Sequence, residues 1–221
     1  MDISAFPLPH AWIALAWIVA LPLLAVAIAR VPWRTMADGA AARVWPAAVA
    51  VLTGLWSIRA HVGPHLAFHL SGIAALTLAC GAPPALVGGA LVVAASIAIS
   101  GADPASGAAV WLAGVALPVA VVTAVRRIAA AWLPHNLFVF VFVVAYFGAA
   151  IAYVATGVAG TTLAVAVLDT PAATAFGDWL VVLGTLAFGE ALLSGMALAL
   201  GVVYRPHWVA AYVPAREESR A

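Results

Sequence analysis

The sequence predicts an all-α membrane protein with about seven transmembrane helices, on three observations. Hydrophobic residues make up 67% of the 221-residue chain, and charged residues only 8%. The mean hydropathy is +1.15. Soluble domains carry roughly 25% charged residues, and a helix needs about 20 apolar residues to cross a bilayer. We therefore expect one transmembrane domain over residues 1–221, with a short cytoplasmic tail at 204–221.

Seven apolar segments, separated by glycine, proline and charged residues, define the expected spans. They cover residues 9–29, 44–58, 65–80, 85–100, 107–125, from just after 136 to about 156, and 177–203. A loop is expected at about 157–176. The third span begins inside a histidine-rich stretch, and Pro118 lies within the fifth.

Arginine, which supplies all nine cations of the chain, predicts the orientation. With seven spans, one side of the membrane receives Arg30, Arg34, Arg43, Arg126, Arg127, Arg205, Arg216 and Arg220. Only Arg59 falls on the other side. Because positive loops remain in the cytoplasm, we expect the N-terminus outside and the C-terminus inside, in a bacterial cytoplasmic (inner) membrane.

The same composition excludes several function classes. A net charge of +1 without a large basic patch argues against nucleic acid as a partner and leaves the lipid bilayer as the expected one. Cys80 is the only cysteine, so neither an internal disulfide nor a thiolate cluster can form.

Three histidines spaced four residues apart mark the candidate site: His61, His65 and His69. On a helix such residues share one face, but Gly63 and Pro64 interrupt the run. Since proline favours the first turn of a helix, we expect His61 in a loop, His65 in the first helical turn and His69 one turn deeper. Neutral imidazole is the commonest side-chain metal ligand, which favours metal or polar-substrate binding. The alternative is that His69 bonds a neighbouring carbonyl or serine and only packs the bundle.

Glu190 is the second ionisable residue expected at membrane depth, where a carboxylate needs a partner. It could bind metal, orient His69 or link two helices, and we favour the last two roles. Weaker candidates are His10, at the outer start of the first span, and His135 with Asn136, at the start of the sixth. Asn136 also suits a helix cap, and both histidines suit the membrane interface.

Three segments resemble the CbiM/NikM family, the membrane substrate-binding subunits of energy-coupling-factor transporters for cobalt and nickel. Residues 68–72, Phe-His-Leu-Ser-Gly, are similar to the family's Gly-His-Leu-Leu-Gly segment. Residues 101–118 resemble its glycine-rich loop and the following helix, and residues 189–192, Gly-Glu-Ala-Leu, match its last helix. The resemblance implies uptake of a metal ion, with a coupling transmembrane subunit and ATPase subunits as partners.

The resemblance also implies a set of ligands. In the family the metal is held by the N-terminal amine, a histidine as the second residue and the histidine of the Gly-His-Leu segment. Here these correspond to Met1, Asp2 and His69. Asp2 is a departure, since carboxylate is a harder ligand than imidazole. The additional His61 and His65 could compensate, which leaves cobalt, nickel, copper, zinc and iron as candidates. The asparagines that flank the fifth helix in the family are absent from this chain.

The leading hypothesis is therefore a non-enzymatic permease or substrate-binding subunit that takes up a transition-metal ion. An alternative is an accessory subunit that binds metal or stabilises a partner complex. A third is a histidine-ligated intramembrane metalloenzyme, for which six histidines are few. The chain has no Walker motif, so ATP-driven transport would require partner chains.

Overall fold

The computed structural model describes residues 8–62, 66–168 and 172–212. Its α-helices, in chain order, are α1 (His10–Arg30), α2 (Trp33–Asp38), α3 (Ala41–Ser57), α4 (Ile73–Cys80), α5 (Ala82–Ser100), α6 (Gly107–Trp111), α7 (Leu117–Trp132), α8 (Gly148–Leu168) and α9 (Ala172–Tyr204). Two 3₁₀ turns, Pro104–Ser106 and Pro206–Trp208, and two π-helical segments, Leu112–Ala116 and Val139–Phe147, complete the helical structure of these ranges. The predicted helical class is confirmed, with one addition: a small β-hairpin of β1 (Ala60–Val62) and β2 (Leu66–Phe68).

Five helical stretches in the described ranges are long and apolar enough to cross a membrane. They are His10–Arg30, Ala82–Ser100, Pro104–Trp132, Val139–Val167 and Val182–Tyr204. These five stretches make the chain a multi-pass membrane protein. Helix α3, with 17 residues, and α4, with eight, are shorter than any of them.

The expected helix over residues 65–80 is wrong in its first half. β1 pairs antiparallel with β2, with His61 opposite Ala67, and α4 begins only at Ile73. Gly72, the residue before α4, has a φ of 64°. Such a left-handed residue cannot continue a right-handed helix, so α4 cannot extend back to the histidines. These histidines therefore do not share one helical face. His61 lies on a strand, His69 lies in the non-helical segment after β2, and His65 lies outside the described residues.

The expected loop at about 157–176 is also wrong. Helix α8 continues to Leu168 and α9 begins at Ala172. Gly157, inside this continued helix, allows α8 to pack closely against α9, because a Cβ there would overlap Leu183. Glycine is unfavourable inside an isolated helix, but here it permits close approach of two helices in lipid.

The bundle has two chemically different ends. Arg43 and Arg205 line one cavity, and Arg126 lines a neighbouring one together with Ala210 and Ala211. We call this the arginine end. The hairpin lies next to Arg59, whose guanidinium donates to Ser96 Oγ over 2.8 Å in the last turns of α5. We call this the hairpin end.

Replacing Gly72 tests how the chain enters α4. A Cβ at Gly72 would overlap Leu52 Cδ2, in addition to the cost of a positive φ. Gly72→Ala should lower the free energy of unfolding by about 1–3 kcal/mol, as overpacking does. Thermal unfolding of the purified protein measures this. The control is Gly54→Ala, since nothing lies within 4 Å of a Cβ at that helical site. Equal unfolding temperatures in the two variants would contradict the prediction.

Candidate metal-binding site

Residues 69–72 form an irregular segment between β2 and α4, within the bundle. Phe68 is 2% exposed and His69 is 7% exposed. Except for the carbonyl of Gly72, which accepts from Leu76 N over 3.1 Å, the backbone groups of this segment lie outside helix and strand ladders, and lipid offers no hydrogen-bond partner. Side chains from three helices supply the missing partners, and these contacts fix the position of His69.

Glu190 of α9 supplies two of the partners. Its Oε2 accepts a hydrogen bond from Ser71 N over 2.8 Å, and its Oε1 accepts one from Gly72 N over 2.7 Å. The Glu190 side chain is 2% exposed. The carboxylate therefore binds the backbone immediately before α4 and links α9 to the histidine segment.

Tyr153 of α8 and Trp56 of α3 each bind one carbonyl of this segment. Tyr153 Oη donates to the carbonyl of His69 over 2.9 Å. Trp56 Nε1 donates to the carbonyl of Ser71 over 2.9 Å. The backbone on both sides of Leu70 is thus hydrogen-bonded to two different helices.

The imidazole of His69 is held on two sides. Its Nδ1 lies 3.1 Å from the carbonyl oxygen of Leu70. Because a carbonyl only accepts, this contact favours the Nδ1–H tautomer, in which Nε2 carries the lone pair. The ring centroid lies 4.4 Å from that of Trp56, with 41° between the planes. A hydrogen bond from one ring nitrogen to a carbonyl is the usual way in which proteins orient a metal-binding histidine.

Trp56 is itself positioned by its surroundings. A Cβ on Gly114, in the first π-helical segment, would come within 3.2 Å of the far edge of the Trp56 indole. The absence of a side chain there leaves room for the ring. On the other side, Arg59 Nε donates to the carbonyl of Trp56 over 3.2 Å, which attaches the end of α3 to the hairpin end. π-helical turns often occur at functional sites, and this one borders the site.

The other predicted residues are placed differently. His10 is the exposed first residue of α1. His135 is exposed at the arginine end and lines a cavity with Arg126 and Asn136. Asn136 Oδ1 accepts from Val139 N over 2.8 Å, so this residue caps the following helix. The structure therefore does not bring His135 and Asn136 to His69.

The remaining predicted ligands fall at the limits of the described ranges. Met1, Asp2 and His65 lie outside the described residues, and only the backbone of His61 is described, in β1. Among the residues that the structure describes, no three His, Cys, Asp or Glu side chains form a group able to hold a metal. His69 is the one predicted ligand whose side chain is described within the bundle.

Sequence reasoning missed Trp56 and Tyr153. Both occur in apolar segments where many aromatic residues face lipid, so type and position alone do not single them out. One signal was available: a buried Trp N–H or Tyr O–H needs a hydrogen-bond partner. Tryptophan and tyrosine side chains near the His69 segment could have been matched with the carbonyls that no secondary structure pairs.

The fold places the chain among multi-pass helical membrane proteins. Its candidate site is an imidazole held on an irregular segment inside the bundle. Residues 2–208 match the CbiM family model, described as a cobalt uptake substrate-specific transmembrane region. The chain belongs to this family, and the predicted resemblance to it is confirmed. The family is one of transport components and not of enzymes. No curated protein and no solved structure gives a significant match.

Variants of Glu190 test its structural role. Glu190→Leu leaves two buried N–H groups without an acceptor, at about 1–3 kcal/mol each. Glu190→Gln keeps one acceptor oxygen, so we expect it to lose about half as much stability as Glu190→Leu. The measurement is thermal unfolding of the purified protein.

The matched control is Ser194→Ala, one turn along α9. Ser194 Oγ is buried and has no hydrogen-bond partner in the described structure. Its removal should leave stability unchanged or raise it slightly. If Glu190→Leu unfolds at the same temperature as Ser194→Ala, the carboxylate does not hold the segment.

Proposed function

We propose that the chain is the substrate-binding subunit of a cobalt uptake system and binds the ion through Nε2 of His69. The observation that carries this proposal is the fixing of that imidazole by Leu70 and Trp56. An ion carrier must bind without first ordering its ligands, because ordering reduces affinity. Membership of the cobalt uptake family supports cobalt as the substrate.

The remaining ligands are assigned by the family resemblance. We assign the amine of Met1 and a carboxylate oxygen of Asp2 to the metal, with His61 and His65 on the approach from the hairpin end. Such a set mixes nitrogen and oxygen donors, unlike the nitrogen-rich set implied for the family. Replacement of an imidazole by a harder carboxylate lowers the preference for nickel and copper, which favour tetragonal nitrogen sites. Cobalt is therefore the ion to test first, with nickel, copper, zinc and iron as competitors.

Each residue around His69 has a proposed task. Glu190 and Tyr153 keep the backbone of the segment in place, so the imidazole does not move when an ion arrives. Trp56 covers one face of the ring and excludes water from it. None of these three is assigned to the metal itself, because each already bonds a backbone group.

The topology proposed from the sequence accommodates this site. Counting α3 and the 69–80 segment with the five long helices gives seven crossings. The arginines gathered at one end support a cytoplasmic arginine end. The hairpin end and His69 then face outward, in the cytoplasmic membrane of a bacterium. A coupling transmembrane subunit and ATPase subunits would supply the drive for release inside.

Reporter fusions test this topology. Fusions at Gly39 and after the last residue should both report the cytoplasm, because both positions follow a crossing that ends at the arginine end. A fusion within the 169–171 link should report the outside. An activity pair such as alkaline phosphatase and a fluorescent protein distinguishes the two locations. Cytoplasmic signal from the 169–171 fusion would rule out the seven-crossing topology.

Metal binding by His69 variants tests the function. Removing a direct ligand should lower cobalt affinity by more than the roughly 10–100-fold typical of residues that only support a ligand. His69→Ala should therefore lose cobalt, whereas the exposed His10→Ala should keep it. The measurement is cobalt bound per folded protein, by equilibrium dialysis and elemental analysis. In the wild type, binding should weaken with falling pH, because a protonated imidazole cannot bind a metal.

Competition with nickel and zinc in the same assay identifies the ion. Equal cobalt content in wild type and His69→Ala, at equal folded fraction, would contradict the proposed site. Specific binding without uptake into vesicles that carry partner subunits would favour the accessory role instead.

A further inference from the structure

A second polar site lies at the arginine end, far from His69. Tyr204, where α9 ends, lies roughly 20 Å of helix beyond Glu190. At this end a cavity of about 580 Å³ is lined by Arg43, Val44, Ala47, Arg205, His207 and Trp208. Arg43 lies in α3, and Arg205 lies between α9 and the Pro206–Trp208 turn; the fold brings these two residues, far apart in sequence, to one cavity. No acidic side chain is among the described residues that line it.

The position of Arg43 points to an anionic ligand. It is the third residue of α3, and the first turn of that helix carries no acidic residue. The N-terminus of a helix bears partial positive charge, so a cation there is unfavourable and an anion is favourable. Arg205 adds a second positive charge to the same cavity, which like-charge repulsion opposes. Both arginines are exposed at the cavity, and an anion bound there would offset both effects.

The rest of the cavity suits a lipid and not only a free ion. Val44 and Ala47 give it an apolar wall, and Trp208 is 41% exposed at its rim. Tryptophan is typical of the headgroup level of a membrane. The cavity also lies where the apolar helix α9 ends, so it lies at the depth of the lipid phosphates. Arginine can bind a phosphate through two parallel hydrogen bonds.

We propose that this cavity binds the phosphate of an anionic phospholipid. The phosphate lies between Arg43 and Arg205, and the glycerol part contacts Val44, Ala47 and Trp208. His207 adds a hydrogen bond to a phosphate oxygen. This site is independent of the metal site and of the proposed transport function.

Lipid titration of the purified full-length protein in neutral detergent tests the proposal. Thermal unfolding is followed as phosphatidylglycerol is added, with phosphatidylcholine and inorganic phosphate in parallel. The unfolding temperature should rise with phosphatidylglycerol and stay constant with phosphatidylcholine. Inorganic phosphate at the same concentration should give no shift. An equal shift with inorganic phosphate would overturn the lipid as the source of the phosphate.

Two charge-matched double variants locate the site. Arg43→Gln/Arg205→Gln should weaken the phosphatidylglycerol response at least tenfold in apparent affinity. Arg34→Gln/Arg127→Gln removes the same charge from exposed arginines that do not line the cavity and should respond like the wild type. Equal responses of the two variants would overturn the proposal.

A measurement on the wild type needs no variant. Native mass spectrometry after detergent extraction should show phosphatidylglycerol retained in preference to phosphatidylcholine, and salt should displace it. Retention of both lipids in their bulk ratio would also overturn the site.

Discussion

The contact between the carboxylate of Glu190 and two consecutive backbone N–H groups is the constraint on which the rest of the structure depends. Ser71 and Gly72 lie at the point where an extended chain becomes α4, and neither N–H has a partner within its own secondary structure. In lipid, such groups have no water to bind. One buried acidic side chain therefore permits a strand-like segment to enter a helical membrane domain, and the candidate metal ligand lies on that segment.

The other contacts of the segment follow the same principle. Tyr153 and Trp56 bind the carbonyls that flank Leu70, as Glu190 binds the N–H groups that follow it. Glu190 of α9 binds both N–H groups, and Tyr153 of α8 and Trp56 of α3 bind one carbonyl each. The outcome is a rigid support for His69 built without secondary structure, in contrast to the arginine end, where charged groups are exposed.

Much of the fold could be predicted from the sequence, because membrane spans depend on length and apolar composition. The helical class, the family and the importance of His69 and Glu190 as buried polar residues followed from it. The predicted helical start at residue 65 was wrong, because α4 begins at Ile73. The spacing of His61, His65 and His69 fits a helix, but the left-handed Gly72 and the pairing of β1 with β2 depend on contacts distant in sequence. The partners of Glu190 could not be predicted for the same reason.

The sequence separations of these contacts determine the order in which the site can form. Glu190 is 119 residues from Ser71, and Tyr153 is 84 residues from His69. During synthesis the histidine segment is made long before either partner. Until then, the backbone N–H and C=O groups that these side chains bind are unpaired or hydrated. The imidazole reaches its final position only when α9, the last long helix, has inserted and packed. The fixed position of the His69 segment is therefore a property of the chain through α9 and not of its N-terminal half alone.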